Sequence, residues 1–282
     1  MRNALNAIAD ELRRLKACGV ERVPVGGDSL EALRRSARRP PAAAPAGPAP
    51  GPAAPAAPAP AAPPVALVLP EGDKAARWAA LRRLVADDPV CRSKLRPGKK
   101  VVLGVGSLDA AIMFVGEAPG AEEEIQGEPF VGPAGQLLNK MIAGMGLSRS
   151  DVYIGNILNW RPDLPAGPDG VQTGNRPPTE SEMAHGLPYL RAQIDIVDPR
   201  LLVALGATAA KGLLGPRSFG ALGEVRGRWH ELGGRPLMVT YHPSYILRSP
   251  TSRNKRLIWE DLLKVMERAK LPISEKQRRY YL

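Results

Sequence analysis

The segment GEAPGAEEEIQGEPFVG (residues 116–132) gathers Glu117, Glu122, Glu123, Glu124 and Glu128 in a chain whose formal net charge is +11. Carboxylates crowded against a basic background make a local site for positive charge, either a hard cation or a reacting group that turns cationic. Two other residues able to do chemistry end apolar runs: Asn156 in DVYIGN and His242 in MVTYH. An amide presents a donor and an acceptor on one edge, and an imidazole can do either near neutral pH. Other chemistries find less support. Histidine occurs only at 185, 230 and 242, without the clustered Cys or His spacing of a metal motif. No G-x-x-x-x-G-K-[ST] occurs, and the glycines of GVGSLD neither follow a predicted strand nor open a helix with a third glycine.

These residues need elements to hold them. AAIMFVG (110–116), DVYIGNIL (151–158) and LLVALG (201–206) read as short buried strands, and RGRWHEL and RPLMVTYHP as two more. Helical patterns alternate with them. KAARWAALRRLVADD turns Trp78, Leu81 and Val85 inward. PAGQLLNKMIAGMG starts at Pro133 and stops at Gly144 or Gly146, and Thr179-x-x-Glu182 is a capping box. ATAAKGLLG and NKRLIWEDLLKVMERAK complete the set. Alternating β and α units predict an α/β fold, a central mostly parallel sheet with helices on both faces. Such sheets place their sites at the carboxyl ends of the strands, which here means Glu117, Asn156, Gly206 and His242 on one rim.

Composition bounds the rest. Lys and Arg number 39 against 28 Asp and Glu, which predicts a polyanionic partner. No apolar run reaches the roughly 18 residues that span a bilayer, and the start of the chain lacks an apolar signal core. Two cysteines, Cys18 and Cys91, argue against a disulfide framework. The expectation is a reduced, cytoplasmic, monomeric protein with no membrane partner. Residues 1–38 read as a helical segment with an amphipathic helix over 2–17, 39–66 as a Pro/Ala-rich flexible linker, and 67–282 as the catalytic domain.

GEAPGAEEEIQGEPFVGPAGQLL, followed by NIL, NRPPTESE and YHPSYILR, closely resembles the family 4 uracil-DNA glycosylases of the uracil-DNA glycosylase superfamily, over roughly Ala86 to Lys270. The resemblance implies a three-layer α/β/α fold. It also implies hydrolysis of the N-glycosidic bond of uracil in single- or double-stranded DNA, leaving an abasic site for base excision repair, with no lyase step. In that setting the Asn156 amide reads uracil O4 and N3–H, Phe130 stacks on the extruded base, and Gly116, Ala118 and Glu124 complete the base pocket. His242 donates to O2 as negative charge grows there. Glu117 is the first choice for the carboxylate that favours the oxocarbenium-like sugar and positions water, with Glu123 second and also placed to crowd the C5 face. Glu122 and Glu128 read as solvated loop charges. Base flipping assigns Ile246 and Leu247 as apolar wedges, and Arg248, Arg253, Lys255 and Arg256, with Asn175, to the DNA.

The chain departs from the family at Glu124, where Asp is common, and at the cluster ligands. Family members usually hold a [4Fe–4S] cluster through four cysteines. The matching positions here are Cys91, Lys94, Trp160 and Gly186, so the expectation is no cluster, no metal and no other cofactor, with Trp160 filling the vacated volume. A related branch traps its product on a histidine, where this chain has Asn175, which predicts turnover without a covalent adduct. Two alternatives stay open: a glycosylase accepting other deaminated bases, and a non-catalytic binder of uracil-containing or abasic DNA.

Overall fold

The apolar runs that end in glycine or asparagine form the middle of a six-stranded sheet of order β1-β3-β2-β4-β6-β5. The computed structural model describes residues 67–165 and 172–282. The helix expected over 2–17, Cys18 and the Pro/Ala linker lie outside the described residues. Strands β2 (Ile112–Gly116), β3 (Tyr153–Asn156), β4 (Leu201–Leu205) and β6 (Arg235–Thr240) run parallel. The two edges are antiparallel: β1 (Val105–Gly106) on β3, and β5 (Trp229–Leu232) on β6. The first of these edges corrects the reading of GVGSLD, whose Val105–Gly106 is itself a strand; two residues are too few to show a period. Gly106 sits at φ 120°, and a side chain there would strike the Val152 carbonyl.

Side chains alternate across the central strands and bury both faces. In β2, Ile112 and Phe114 join one apolar cluster while Met113 and Val115 join another. The first cluster is closed by α4 (Pro133–Gly144) and α9 (Ser252–Arg268), through Leu138, Ile142, Ile258 and Leu262. The second is closed by α5 (Glu180–Val197) and α6 (Ala207–Leu214), through Leu190, Ile194, Ala210 and Leu213. Each fully buried aliphatic side chain contributes about 1.5–3 kcal/mol relative to exposure, so the sheet is held from both sides. A third cluster lies beyond α5, where α1 (Lys74–Asp87) and α2 (Pro89–Lys94) bring Leu81, Val85 and Cys91 against Trp160 and Tyr189.

The helix signals act as their chemistry requires. Thr179 Oγ1 accepts from Glu182 N at 3.2 Å while the Glu182 carboxylate accepts from Thr179 N at 2.8 Å, which starts α5. Pro133 opens α4, which runs to Gly144, and Gly146 turns the chain away at φ 83°. Trp78 is only half-buried, donating Nε1–H to Tyr153 Oη at 2.9 Å, whereas Leu81 and Val85 are fully buried. Short helices escaped the periodicity argument because one turn has no period: α3 (Ala121–Gln126), α7 (Leu222–Val225), α8 (Pro243–Arg248) and α10 (Glu275–Arg278). Among the described residues no helix is long and apolar enough to cross a membrane.

Candidate active site

The carboxyl ends of β2, β3, β4 and β6 open onto one cleft of about 800 Å³, and Glu117, Asn156, Gly206 and His242 all line it. The rim expected from strand order is therefore a single surface. Gly206 makes the approach possible: it sits at φ 92°, and a Cβ there would stand 3.0 Å from the His242 Cβ.

Asn156 is 4% exposed, and its Oδ1 is buried with no hydrogen-bond partner among the described residues. A buried acceptor left open costs about 1–3 kcal/mol, so its free state points to an incoming donor. Asn156 and Phe130 approach the strand end this closely because residue 116 is glycine. A Cβ at Gly116 would collide with both Asn156 Oδ1 and the ring of Phe130. The amide oxygen, the edge of the aromatic ring and the glycine thus meet at one spot on the cleft.

Phe130 holds its place at φ 55°, a left-handed conformation rare for a side-chain-bearing residue. Strain of this kind costs on the order of 1–3 kcal/mol and persists only where neighbours fix the backbone. They do so on both sides. Glu123 Oε1 accepts from Val131 N and Gly132 N at 3.0 Å each, and Arg149 donates to the carbonyls of Pro129 and Phe130.

His242 caps the N-terminus of α8. Its Nδ1 faces Ser244 N at 3.2 Å and Ser244 Oγ at 2.9 Å. A backbone N–H can only donate, so Nδ1 is assigned as the acceptor and a neutral ring carries its proton on Nε2. Burial, with the positive Arg248 nearby, pushes the His242 pKa down to about 4. The ring is therefore a neutral N–H donor at physiological pH. Glu117 shifts the opposite way: burial raises its pKa, against a hydrogen bond from Thr208 and the charge of Arg248.

The acidic segment is not a solvated loop. Residues 121–126 are α3, and Glu123 and Glu124 are buried. Glu123 borders the cleft, but its carboxylate is occupied by three backbone N–H groups, the third being Gly120 N at 3.1 Å. It braces the loop carrying Phe130, which corrects its reading as the alternative water-positioning carboxylate. Glu124 lies outside the cleft lining, correcting its place in the base pocket. It accepts from Arg96 Nη2 at 2.6 Å and Arg161 Nη1 at 2.9 Å, a buried ion-pair hub. Glu122 is exposed at the cleft and Glu128 is exposed outside it. Ala118 lines the cleft, as does Asn175, whose Oδ1 accepts from Arg161 Nε at 2.8 Å.

The DNA-facing residues divide. Leu247 is 48% exposed at the end of α8, and Arg248, exposed beside it, also lines the cleft. Ile246 is 5% exposed and belongs to the core, so it is no wedge: adjacent helical residues point about 100° apart, which turns Ile246 inward and Leu247 outward. Arg256 is tied to Glu260 and to the Arg278 and Tyr280 carbonyls, which removes it from phosphate contact. Arg253 is exposed; Lys255 sits 5.9 Å over the Tyr281 ring. Sequence reasoning missed Thr208, Tyr241 and Tyr245 in the lining. The two tyrosines stack with ring centroids 4.4 Å apart. Their four-residue spacing across YHPSY is the signal that could have revealed them.

Fold and cleft together are those of an α/β protein with its site at the carboxyl ends of a parallel sheet, and comparison with known proteins gives its family. The profile of the Uracil DNA glycosylase superfamily matches residues 103–263, and the chain belongs to that superfamily. It is 42% identical over 167 residues to a type-4 uracil-DNA glycosylase of Thermotoga maritima, covering 58% of this chain and 80% of that protein. A type-4 uracil-DNA glycosylase of Pyrobaculum aerophilum is 41% identical over 165 residues, covering 56% of this chain and 78% of the relative. One from Archaeoglobus fulgidus is 40% identical over 160 residues, covering 55% and 75% respectively.

The resemblance places the family's four cluster ligands at Cys91, Lys94, Trp160 and Gly186, of which Cys91 alone is a thiol. Cys91 is fully buried. Trp160, 1% exposed, fills the third position and packs with Cys91 in one cluster. At the fourth, a Cβ on Gly186 would collide with the Ile157 carbonyl. Trp160 is not a purely apolar filler, since its Nε1 is buried without a partner among the described residues.

Proposed function

We propose that this chain is a monofunctional uracil-DNA glycosylase that works without an iron–sulfur cluster. The observation that carries the reading is the open Asn156 Oδ1 beside the Gly116–Phe130 slot, with the neutral His242 ring on the same cleft.

In this reading a uracil flipped from the DNA stacks on Phe130, and Asn156 accepts its N3–H through Oδ1 and donates to O4 through Nδ2. Cytosine has no N3–H and offers a donor at position 4, so it would leave buried polar groups unpaired at about 1–3 kcal/mol each. As the C1′–N1 bond breaks, both electrons leave with uracil and negative charge spreads to O2, where His242 Nε2–H donates. Proximity to the Glu117 carboxylate stabilises the cationic sugar and orients a water. The water oxygen bonds to C1′ and gives up one proton to solvent, and the uracil anion takes a proton from solvent. Asn175 stands where a covalent branch has histidine, and its amide is no nucleophile, so the enzyme turns over. We further assign it to the cytoplasm as a monomer.

A uracil-containing oligonucleotide, incubated with the protein and treated with alkali, tests the proposal. Strand cleavage that is lost in Asn156→Ala and kept in Glu128→Ala supports it. Binding without cleavage in the unaltered protein, or a denaturation-resistant protein–DNA species, refutes it.

A further inference from the structure

We propose that Asp88, Cys91 and His185 bind one divalent cation of the zinc class, independently of the cleft. The sequence shows no ligand spacing because the fold assembles the trio from distant places. Asp88 caps α2, Cys91 lies in its first turn, and His185 comes from α5, yet one donor atom from each lies within 4.8 Å of the others. Oxygen, thiolate sulfur and imidazole nitrogen are the donors that borderline-soft cations prefer. In tetrahedral zinc complexes with bonds of ~2.0–2.3 Å the donors stand roughly 3.3–3.8 Å apart, so small side-chain adjustments suffice.

The surroundings already resemble an outer shell. Asp88 Oδ2 accepts from Tyr189 Oη at 2.7 Å and Oδ1 from Cys91 N at 2.6 Å, which fixes the carboxylate. The edge of Trp160 packs on the His185 ring with centroids 5.7 Å apart, walling one side. His185, with 30% of its side chain exposed, marks the side from which the ion and a fourth ligand water enter. The present His185 Nε2–Asp88 Oδ1 contact of 3.1 Å gives way to two metal bonds. The Cys91 proton leaves to solvent as the sulfur–metal bond forms, driven by the cation's charge. None of the three residues lines the cleft, so the ion acts as a staple between α2 and α5, not in base excision.

Metal-free reduced protein titrated with Co²⁺ decides the matter. We expect one equivalent bound, a thiolate-to-cobalt charge-transfer band, displacement by Zn²⁺, and a melting temperature raised by Zn²⁺. Cys91→Ser and His185→Ala, checked for native circular dichroism, lose the band and the thermal shift, while His230→Ala keeps both. Absence of the band in the unaltered protein overturns the proposal, as does its persistence in Cys91→Ser. Iron with labile sulfide at four per chain overturns it too, by showing a cluster instead. Uracil excision at permissive temperature is equal with and without Zn²⁺, so failure here leaves the enzymatic reading untouched.

Discussion

The rings of Phe130 and His242 lie with centroids 5.5 Å apart and planes inclined by 31°. A base sandwiched between two rings needs about 7 Å, twice the ~3.5 Å contact distance between carbons. In the proposed reading the two rings therefore divide the base between them, Phe130 against its face and His242 toward its edge. Phe130→Ala is expected to lower kcat/KM by the value of one base–aromatic stack, about 1–3 kcal/mol or roughly 5–150-fold. Phe130→Tyr should retain most of the activity. Single-turnover excision at saturating and subsaturating enzyme separates binding from chemistry; an unchanged rate in Phe130→Ala would remove the ring from the base.

The pH profile follows from the two shifted groups. In the proposed mechanism Glu117 acts ionised, and burial raises its pKa, so kcat/KM should fall in acid along a limb above the ordinary carboxylate value of 4.5. Arg248 opposes that rise, so Arg248→Ala moves the limb toward neutral pH. His242 is shifted from 6.5 to about 4 and contributes no inflection near 6.5. For stability the sign is that of a depressed pKa. The neutral His242 contribution is complete above 6.5 and declines as pH falls toward 4. Rate and chemical-denaturation profiles between pH 4 and 9, in the unaltered protein and in Arg248→Ala, check each part.

Glu124 is a stability residue. Its side chain is 6% exposed, and so is most of its partner Arg161, at 5%. Glu124→Ala strands a buried guanidinium, a change that costs about 3–5 kcal/mol. Because Arg161 also holds Asn175 at the cleft, the loop should loosen as well. Urea unfolding gives the loss directly, and a change under 1 kcal/mol would show that the hub is solvated.

Leu247, Arg248 and Arg253 form the exposed end of the proposed DNA face. Arg253→Ala should weaken binding to any DNA sequence and reduce the slope of log K against log salt by about 1, one phosphate contact. Arg256→Ala should leave that slope unchanged, since its guanidinium is bonded within the protein. Salt titrations of oligonucleotide binding distinguish the two.

Much of this was legible without coordinates. Glycine-terminated apolar runs identified the central strands, and the strand-end rule brought Glu117, Asn156 and His242 to one rim because parallel topology leaves few alternatives. What failed to show was everything shorter than a period. The carboxylate-rich stretch looked like an open acidic pocket, yet α3 turns Glu123 into a backbone brace and Glu124 into an ion-pair partner. Neighbouring Ile246 and Leu247 looked equivalent until α8 sent one to the core and the other to solvent.

Residue type and order alone determined the sheet, the superfamily and the chemical repertoire of the rim, because burial patterns and long motifs are written along the chain. Tertiary structure decided which charges remain free, which imidazole nitrogen carries the proton, and that Asp88, Cys91 and His185 meet. Those outcomes depend on desolvation and hydrogen-bond competition among residues far apart in sequence, and no linear spacing encodes them.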